Sequence, residues 1–187
     1  RVLFRSVAVL PAVVLGQLFD DILEEKFFNP FTVSLMLIIY GVILIIIESS
    51  KKVKVKTKTI QELSFKTAVG IGFFQCLAMI PGTSRSAATI IGGVLLGLER
   101  VLATEFSFFL AIPTMFGASF YKIMKSGFNL SGYEVFLIAL GFVLSFIISY
   151  IVIKLFLDYI KKHDFKVFGY YRIILGIVML AFMFMTK

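Results

Sequence analysis

The chain has 187 residues, of which 59% are hydrophobic and only 16% are charged, and its formal net charge at pH 7 is +8. Its 22 Phe, absence of Trp and apolar runs of membrane-spanning length exclude an ordinary soluble domain and predict a polytopic membrane protein. We interpret the basic excess as loops that orient membrane helices and contact anionic lipids, and we expect no nucleic-acid partner.

The first part of the chain contains two apolar segments joined by an acidic link. Residues 2–19 predict a membrane helix kinked at Pro11, because neighbouring helices can re-satisfy the carbonyl that a proline frees. After the acidic amphipathic link of residues 20–30, residues 31–48 predict a spanning helix, since about 20 residues cross the hydrocarbon. The five lysines between residues 51 and 58 predict a solvated loop and not a strand.

The second part contains two short apolar segments and three long ones. An apolar helix is predicted over residues 63–80 and ends at Pro81. Residues 87–98 are too few to span a bilayer and predict a re-entrant half-helix. The remaining spanning helices are predicted over 101–124, 133–157 and 171–186. The fold class is therefore all-α, with spanning helices and a re-entrant helix pair in one integral membrane domain, residues 1–187.

Positive charge leaves two orientations of this domain open. The lysine-rich loop and the basic residues near 161–172 both favour the cytoplasmic side. If residues 63–98 enter and leave on one side, both clusters are cytoplasmic, and the polar break between the two short helices opens inward. If residues 63–80 cross nearly the whole membrane, the break opens outward and later segments must absorb an extra crossing. The sequence Tyr170-Tyr171-Arg172 is typical of an interfacial belt that anchors the last helix.

The polar break has the sequence PGTSRS, residues 81–86. The Thr or Ser that precedes Arg85 is a suitable N-cap, and the helix that follows would direct free backbone N–H groups at an anion. Gly82 allows close backbone approach, and Arg85 adds a fork of donors suited to phosphate oxygens. Hydroxyl groups are supplied by Thr83, Ser84, Ser86 and Thr89. We interpret the break as a phosphate cradle at membrane depth; the alternative is a polar hinge whose arginine pairs with a carboxylate or free carbonyls.

These residues carry a resemblance to a known family. The segments concerned are LPAVVLGQLF, QCLAMIPGTSRSAAT, EFSFFLAIPTMFGA and YYRIILGIV, in that order along the chain. Together they resemble the bacterial undecaprenyl-diphosphate phosphatase family, the bacitracin-resistance phosphatases, over nearly the whole chain. The central motif is specific, although Ala87 stands where the family commonly has glycine.

The resemblance implies hydrolysis of undecaprenyl diphosphate to undecaprenyl phosphate, which recycles the lipid carrier of peptidoglycan synthesis and gives bacitracin resistance. It also implies a location in the bacterial plasma membrane, an inverted repeat with two re-entrant helix pairs, a divalent cation (Mg²⁺ or Ca²⁺) and an active site that faces outward. A membrane transporter or lipid flippase with an anion site at the midplane is the alternative, because broken helices also line transporter sites.

Carried over by position, the resemblance assigns the site residues. The catalytic candidates are Ser84, Arg85 and Thr89, with Arg85 as the diphosphate clamp. Of the substrate-binding candidates, Gln75 is carried over in the same way, whereas Gly82, Thr83 and Ser86 come from the chemistry of the polar break. The nucleophile stays open, because Ser84 either attacks phosphorus or only binds phosphate.

One family signature has no match in this chain. It is a Glu-rich segment followed by a Ser-Ser-Thr-Gly-His stretch, and the family's expected metal ligands lie there. His163, in a lysine-flanked loop, is interpreted as a solvated histidine and not as a member of that signature. We therefore expect the chain to be the C-terminal two-thirds of the enzyme, without metal ligands of its own and unable to hydrolyse substrate alone. Whether the protein forms a homodimer is left open by the sequence.

Overall fold

In the computed structural model, residues 2–50, 54–126 and 131–185 are described, and they form seven α-helices. The helices are α1 (Val2–Phe27), α2 (Pro30–Ser49), α3 (Phe65–Cys76), α4 (Arg85–Leu95), α5 (Arg100–Ser126), α6 (Gly132–Lys162) and α7 (Lys166–Met185). Of these, α2, α5, α6 and α7 are long and apolar enough to cross a membrane. The predicted all-α, multi-pass membrane fold is thus confirmed.

Three predicted helix boundaries are wrong by five residues or more, and one of them is the end of α6, at Lys162 and not at residue 157. Helix α1 continues through the predicted acidic link, and the chain turns at Asn29, whose side chain accepts the Thr32 N–H at 2.8 Å to cap α2. Helix α7 begins at Lys166 and not at residue 171, and the Asp164 carboxylate accepts the N–H of this first helical residue at 3.2 Å. The acidic side chains of residues 20–24, the first lysines of the predicted loop (51–53) and residues 127–130 lie outside the described part.

Helices α2 and α7 pack antiparallel through two glycines, Gly41 and Gly176. A Cβ on Gly41 would lie 2.7 Å from the Gly169 carbonyl oxygen and 2.7 Å from the Ile173 side chain. A Cβ on Gly176 would meet the Ser34 carbonyl oxygen at 2.7 Å and the Ile38 side chain at 2.7 Å, which is the same pair of contacts with the helices exchanged. The matching sequences IIYGVIL and IILGIVM surround these glycines. The two glycines thus make matching contacts at the two ends of the helix pair, and the implied inverted repeat stays a prediction.

Helices α3 and α4, of 12 and 11 residues, form a hairpin whose two ends meet. The Lys56 N–H donates to the Gly97 carbonyl at 2.8 Å, and the Glu99 N–H donates to the Thr57 carbonyl at 3.0 Å. Beside this base, Arg100 forms an ion pair with Glu48 at 3.1 Å, at the C-terminal end of α2. The two ends of the hairpin thus lie together, which is the geometry that the predicted re-entrant pair requires.

The tip of the hairpin lies far from its base. Gly82 packs against Val33, near the N-terminal end of α2, whereas the base lies beside Glu48 at the other end. The stretch between Val33 and Glu48 corresponds to roughly 22 Å of helix, compared with about 30 Å of hydrocarbon. The structure therefore combines the two predicted alternatives: the pair returns to the side of the lysine-rich loop, but its tip lies towards the opposite face.

Two apolar clusters flank the hairpin and fix its position. One joins α1, α3 and α5 around Ile71, Phe106 and Leu110, and the other joins α2, α4 and the α6–α7 corner around Tyr40 and Ile160. In contrast, α6 is exposed along nearly its whole length. The hairpin is thus held by packing on both sides, and its broken tip lies between the two clusters.

The α2–α7 contact makes a testable prediction about two glycines. We expect Gly41→Ala to lower the stability of the protein by about 1–3 kcal/mol, because the added methyl group has no space against α7. Gly141→Ala is the matched control, since no atom lies within 4 Å of a Cβ there, and it should stabilise α6 by about 1 kcal/mol. Thermal unfolding in detergent measures both; equal shifts would contradict the close packing.

Candidate functional site

The loop between the two hairpin helices has an unusual backbone. Gly82 has φ +91° and Ser84 has φ +69°, a conformation that side chains with a Cβ rarely adopt. A Cβ on Gly82 would also lie 2.5 Å from the Val33 carbonyl oxygen, so both the backbone angle and the lack of space require glycine here. Ser84 accepts the Ala87 N–H at 3.4 Å and is the N-cap of α4, which selects it from the two predicted caps.

Arg172 holds this loop from the last helix. Its Nη2 donates to the Gly82 carbonyl at 2.7 Å and to the Thr83 carbonyl at 3.0 Å. The prediction that Arg172 belongs to an interfacial belt is therefore wrong, because α7 starts early and its packing on α2 turns this side chain towards the hairpin. The signal available in the sequence was an arginine beside a long apolar run, which membrane segments rarely contain without a function.

Arg85, the first residue of α4, lies on the α5 side of the loop. Its Nη1 donates to the Ser107 carbonyl at 3.3 Å, and its side chain is half-buried. One turn further along α4, Thr89 is 1% exposed and its hydroxyl lies 2.6 Å from the Ser107 hydroxyl. Arg85 and Arg172 therefore bracket the loop from two different helices.

A cavity of about 260 Å³ opens next to the loop. Its polar groups are the hydroxyls of Ser84 and Ser86, which lie 3.3 Å apart, and the Arg172 side chain. Its other walls are apolar or aromatic and consist of Leu44, Ala87, Ile90, Phe156, Phe165, Phe168 and Tyr171. A ligand with a polar phosphate end and a hydrocarbon body matches this division of the lining.

The remaining predicted substrate-binding residues occupy different places. Thr83 is fully buried in the loop, whereas Gln75 lies behind it on α3 and is 3% exposed. Gln75 Nε2 donates to the Thr114 hydroxyl at 3.4 Å, and its Oε1 is a buried atom with no hydrogen-bond partner in the described structure. The structure thus gathers Gly82, Thr83, Ser84, Arg85 and Ser86 at the tip and places Gln75 and Thr89 behind them.

The groups at the tip suit an anion and not a cation. They are hydroxyls, the free N–H groups at the start of α4 and two guanidinium groups, whereas Mg²⁺ and Ca²⁺ take carboxylate and carbonyl oxygens. Within the described ranges, no three His, Cys, Asp or Glu side chains are close enough to share a metal ion. His163 lies at the end of α6, where its ring stacks on Tyr159 at 4.4 Å.

Fold and site together define a multi-pass membrane protein with a positively charged loop at the tip of a re-entrant hairpin. The family model described as "Bacitracin resistance protein BacA" matches residues 2–178. The chain therefore belongs to this family, as the resemblance of its sequence motifs implied.

Curated relatives agree with this membership. The chain is 55% identical to "Undecaprenyl-diphosphatase 1" of Clostridioides difficile over 179 residues, 96% of the chain and 65% of the relative. It is 51% identical to "Undecaprenyl-diphosphatase" of Enterococcus faecalis, over 94% of the chain and 64% of the relative. For the Fusobacterium nucleatum protein of the same name the identity is 54%, over 95% of the chain and 68% of the relative. The chain thus spans about two-thirds of the length of these relatives.

The contacts of Arg172 make a prediction about stability. Arg172→Ala leaves the carbonyls of Gly82 and Thr83 without their donor, and we expect a loss of about 1–3 kcal/mol in the free energy of unfolding. Lys122→Ala, on the exposed part of α5, is the control and should change the stability little. Thermal unfolding in detergent decides the matter: an Arg172→Ala protein as stable as the control would show that the arginine does not hold the loop.

Proposed function

We propose that the protein hydrolyses undecaprenyl diphosphate to undecaprenyl phosphate and inorganic phosphate. Water supplies the oxygen that replaces the bridging oxygen at the terminal phosphorus, and the phosphoanhydride bond breaks. This reaction recycles the lipid carrier of peptidoglycan synthesis and gives resistance to bacitracin. The observation that carries the proposal is the PGTSRS loop with Arg85 on one side and Arg172 on the other. The curated relatives of this chain bear the name undecaprenyl-diphosphatase.

The proposal gives the residues of the tip distinct tasks. Arg85 is the diphosphate clamp, assisted by the N–H groups at the start of α4, because a planar fork of donors matches phosphate oxygens. Ser84, Arg85 and Ser86 are half-buried, so their fixed charges and dipoles are screened less than at an open surface and act on the charge that develops in phosphoryl transfer. Ser84 and Ser86 contact phosphate from the cavity, and the aromatic walls receive the first prenyl units. Ser84 either attacks phosphorus or only binds phosphate, and Thr89 stays a predicted catalytic residue.

A divalent cation, Mg²⁺ or Ca²⁺, belongs to the proposal through the family resemblance alone. The groups at the described tip do not fit such an ion, so we derive no step through it. The proposal places its ligands in sequence outside this chain. The oligomeric state stays open, a homodimer included.

The first test is phosphate release by purified protein in detergent. We expect none from this chain alone, and release from undecaprenyl diphosphate when the chain is joined to the N-terminal third of the Clostridioides difficile relative. In the joined protein, Arg85→Ala should reduce the rate at least about a hundredfold, whereas Lys122→Ala should not change it. A chelator should abolish release and added Mg²⁺ or Ca²⁺ should restore it.

The outcomes of this test separate the two classes of function. A joined protein that moves the lipid between leaflets of a vesicle without releasing phosphate would be a flippase, and the phosphatase proposal would fail. Near-normal turnover by the Arg85→Ala variant would remove the clamp from the proposal but leave the phosphatase activity standing.

We further propose that the protein lies in the bacterial plasma membrane with its site facing outward. The described lysines of the 54–58 loop lie at the base of the hairpin, and the α6–α7 corner lies at the same end of α2, since Gly169 packs against Ile45; the positive-inside rule assigns this end to the cytoplasm. The tip is at the level of Val33, towards the opposite face.

Cysteine labelling tests this orientation in intact cells, in a Cys76→Ser background. A membrane-impermeant maleimide should label Tyr133→Cys, at the start of α6, and should not label Lys56→Cys, at the hairpin base. Permeabilised cells provide the control, since both positions are exposed and both should then react. The reverse pattern in intact cells would place the site on the cytoplasmic side.

A further inference from the structure

Behind the loop, α4 and α5 are joined by hydroxyl groups that are almost completely excluded from solvent. Thr89 on α4 is 1% exposed and Ser107 on α5 is 0% exposed, and their oxygens lie 2.6 Å apart. Two hydroxyl groups buried between helices of a membrane protein form a hydrogen bond with each other, because no water is available there as an alternative partner.

The directions of these hydrogen bonds follow from the number of protons. Thr89 Oγ1 carries one proton, and it is directed to carbonyls of its own helix, Arg85 O at 2.9 Å and Ser86 O at 3.2 Å. The contact between the Thr89 and Ser107 hydroxyls allows either donor, and we assign it to Ser107, whose hydroxyl then donates to Thr89 Oγ1. The result is a chain of donors that starts at Ser107 and ends on the backbone carbonyl of Arg85.

Ser107 also contacts the guanidinium group of the same arginine. Its backbone carbonyl accepts Arg85 Nη1 at 3.3 Å. Ser107 thus contacts Arg85 in two ways. Its carbonyl accepts from the guanidinium group directly, and its hydroxyl is connected to the Arg85 backbone carbonyl through Thr89. On α5 it lies between the buried Phe106 and Leu110, which anchor that helix in the apolar cluster with α1 and α3.

We infer that Ser107 is a positioning residue that sets the place of Arg85 in the diphosphate site. Arg85 is the first residue of α4, so no preceding helical turn supports it, and its long side chain has many rotamers to lose. A donor chain tied to a packed spanning helix fixes the start of α4 and thereby the guanidinium group, which binding of a doubly charged phosphate end requires. This inference rests on the proposed function, because it takes Arg85 as the clamp.

The experiment compares Ser107→Ala with Thr104→Val in the joined, active protein. Thr104 is the matched control, since it is equally buried on α5 but its hydroxyl donates only to Arg100 O of its own helix. We expect Ser107→Ala to raise KM for undecaprenyl diphosphate and the competitive Ki of inorganic pyrophosphate roughly tenfold, with a smaller fall in kcat. Thr104→Val should leave both constants unchanged. A fall in thermal stability with unchanged KM and Ki would overturn the inference.

A double-mutant cycle with Thr89 tests the donor chain itself. Thr89→Val removes the intermediate hydroxyl, and the double variant with Ser107→Ala should be no more impaired than either single variant. Thr89→Ser keeps the hydroxyl and should therefore raise KM less than Thr89→Val does. Additive losses, or a Thr89→Ser protein as impaired as Thr89→Val, would contradict a chain that acts through Arg85. Ser107→Cys, a weaker donor of similar size, replaces Ser107→Ala if that variant does not fold, and the same rise in KM is expected.

Hydrogen exchange keeps this test separate from the proposed function. In this chain without substrate, Ser107→Ala should accelerate exchange of the backbone amides at the start of α4 more than elsewhere, whereas Thr104→Val should not. Uniform acceleration along α4 and α5 would overturn the positioning role. If the joined wild-type protein releases no phosphate, the proposed function fails, and the exchange pattern alone then decides whether Ser107 fixes the start of α4.

Discussion

A chain that turns inside a membrane must find donors for its own carbonyls, because no water reaches them there. In this protein the requirement is met by Arg172, which donates to two consecutive carbonyls of the PGTSRS loop. Those two hydrogen bonds permit a positive φ at Ser84, the residue that also caps α4. The loop contains one turn of its own, in which the Thr83 N–H donates to the Ile80 carbonyl at 3.2 Å, and Arg172 ties that turn to α7.

The packing of the spanning helices makes that contact feasible. Close approach of α2 and α7 through Gly41 and Gly176 brings the helix that carries Arg172 alongside the helix that receives Gly82 at Val33. At the other end, the ion pair between Glu48 and Arg100 ties the base of the hairpin to the same α2. Helix α2 thus contacts the hairpin at both its tip and its base, and these two contacts fix the position of the hairpin.

Much of this arrangement was predictable from the sequence, because the features concerned are local. The shortness of the segment after Ser86 predicted a half-helix, and the chemistry of PGTSRS predicted an anion site with a cap at Thr83 or Ser84. Arg172 was missed because its partners are 90 and 89 residues away, and no spacing rule connects positions so far apart. The depth of the tip was equally hidden, since it depends on where Gly82 meets α2 and not on helix length.

The closed base of the hairpin has a consequence for biogenesis. Because Lys56 and Glu99 lie side by side at the base, the whole segment between them can enter the bilayer from one side after its flanking helices are in place. No lysine of the 54–58 loop needs to be translocated, and Arg85 is the cation that must travel to depth. Its partner Ser107 on α5 and the loop's donor Arg172 on α7 both follow the hairpin in the chain, so the contacts of the tip can form only after those helices are in place.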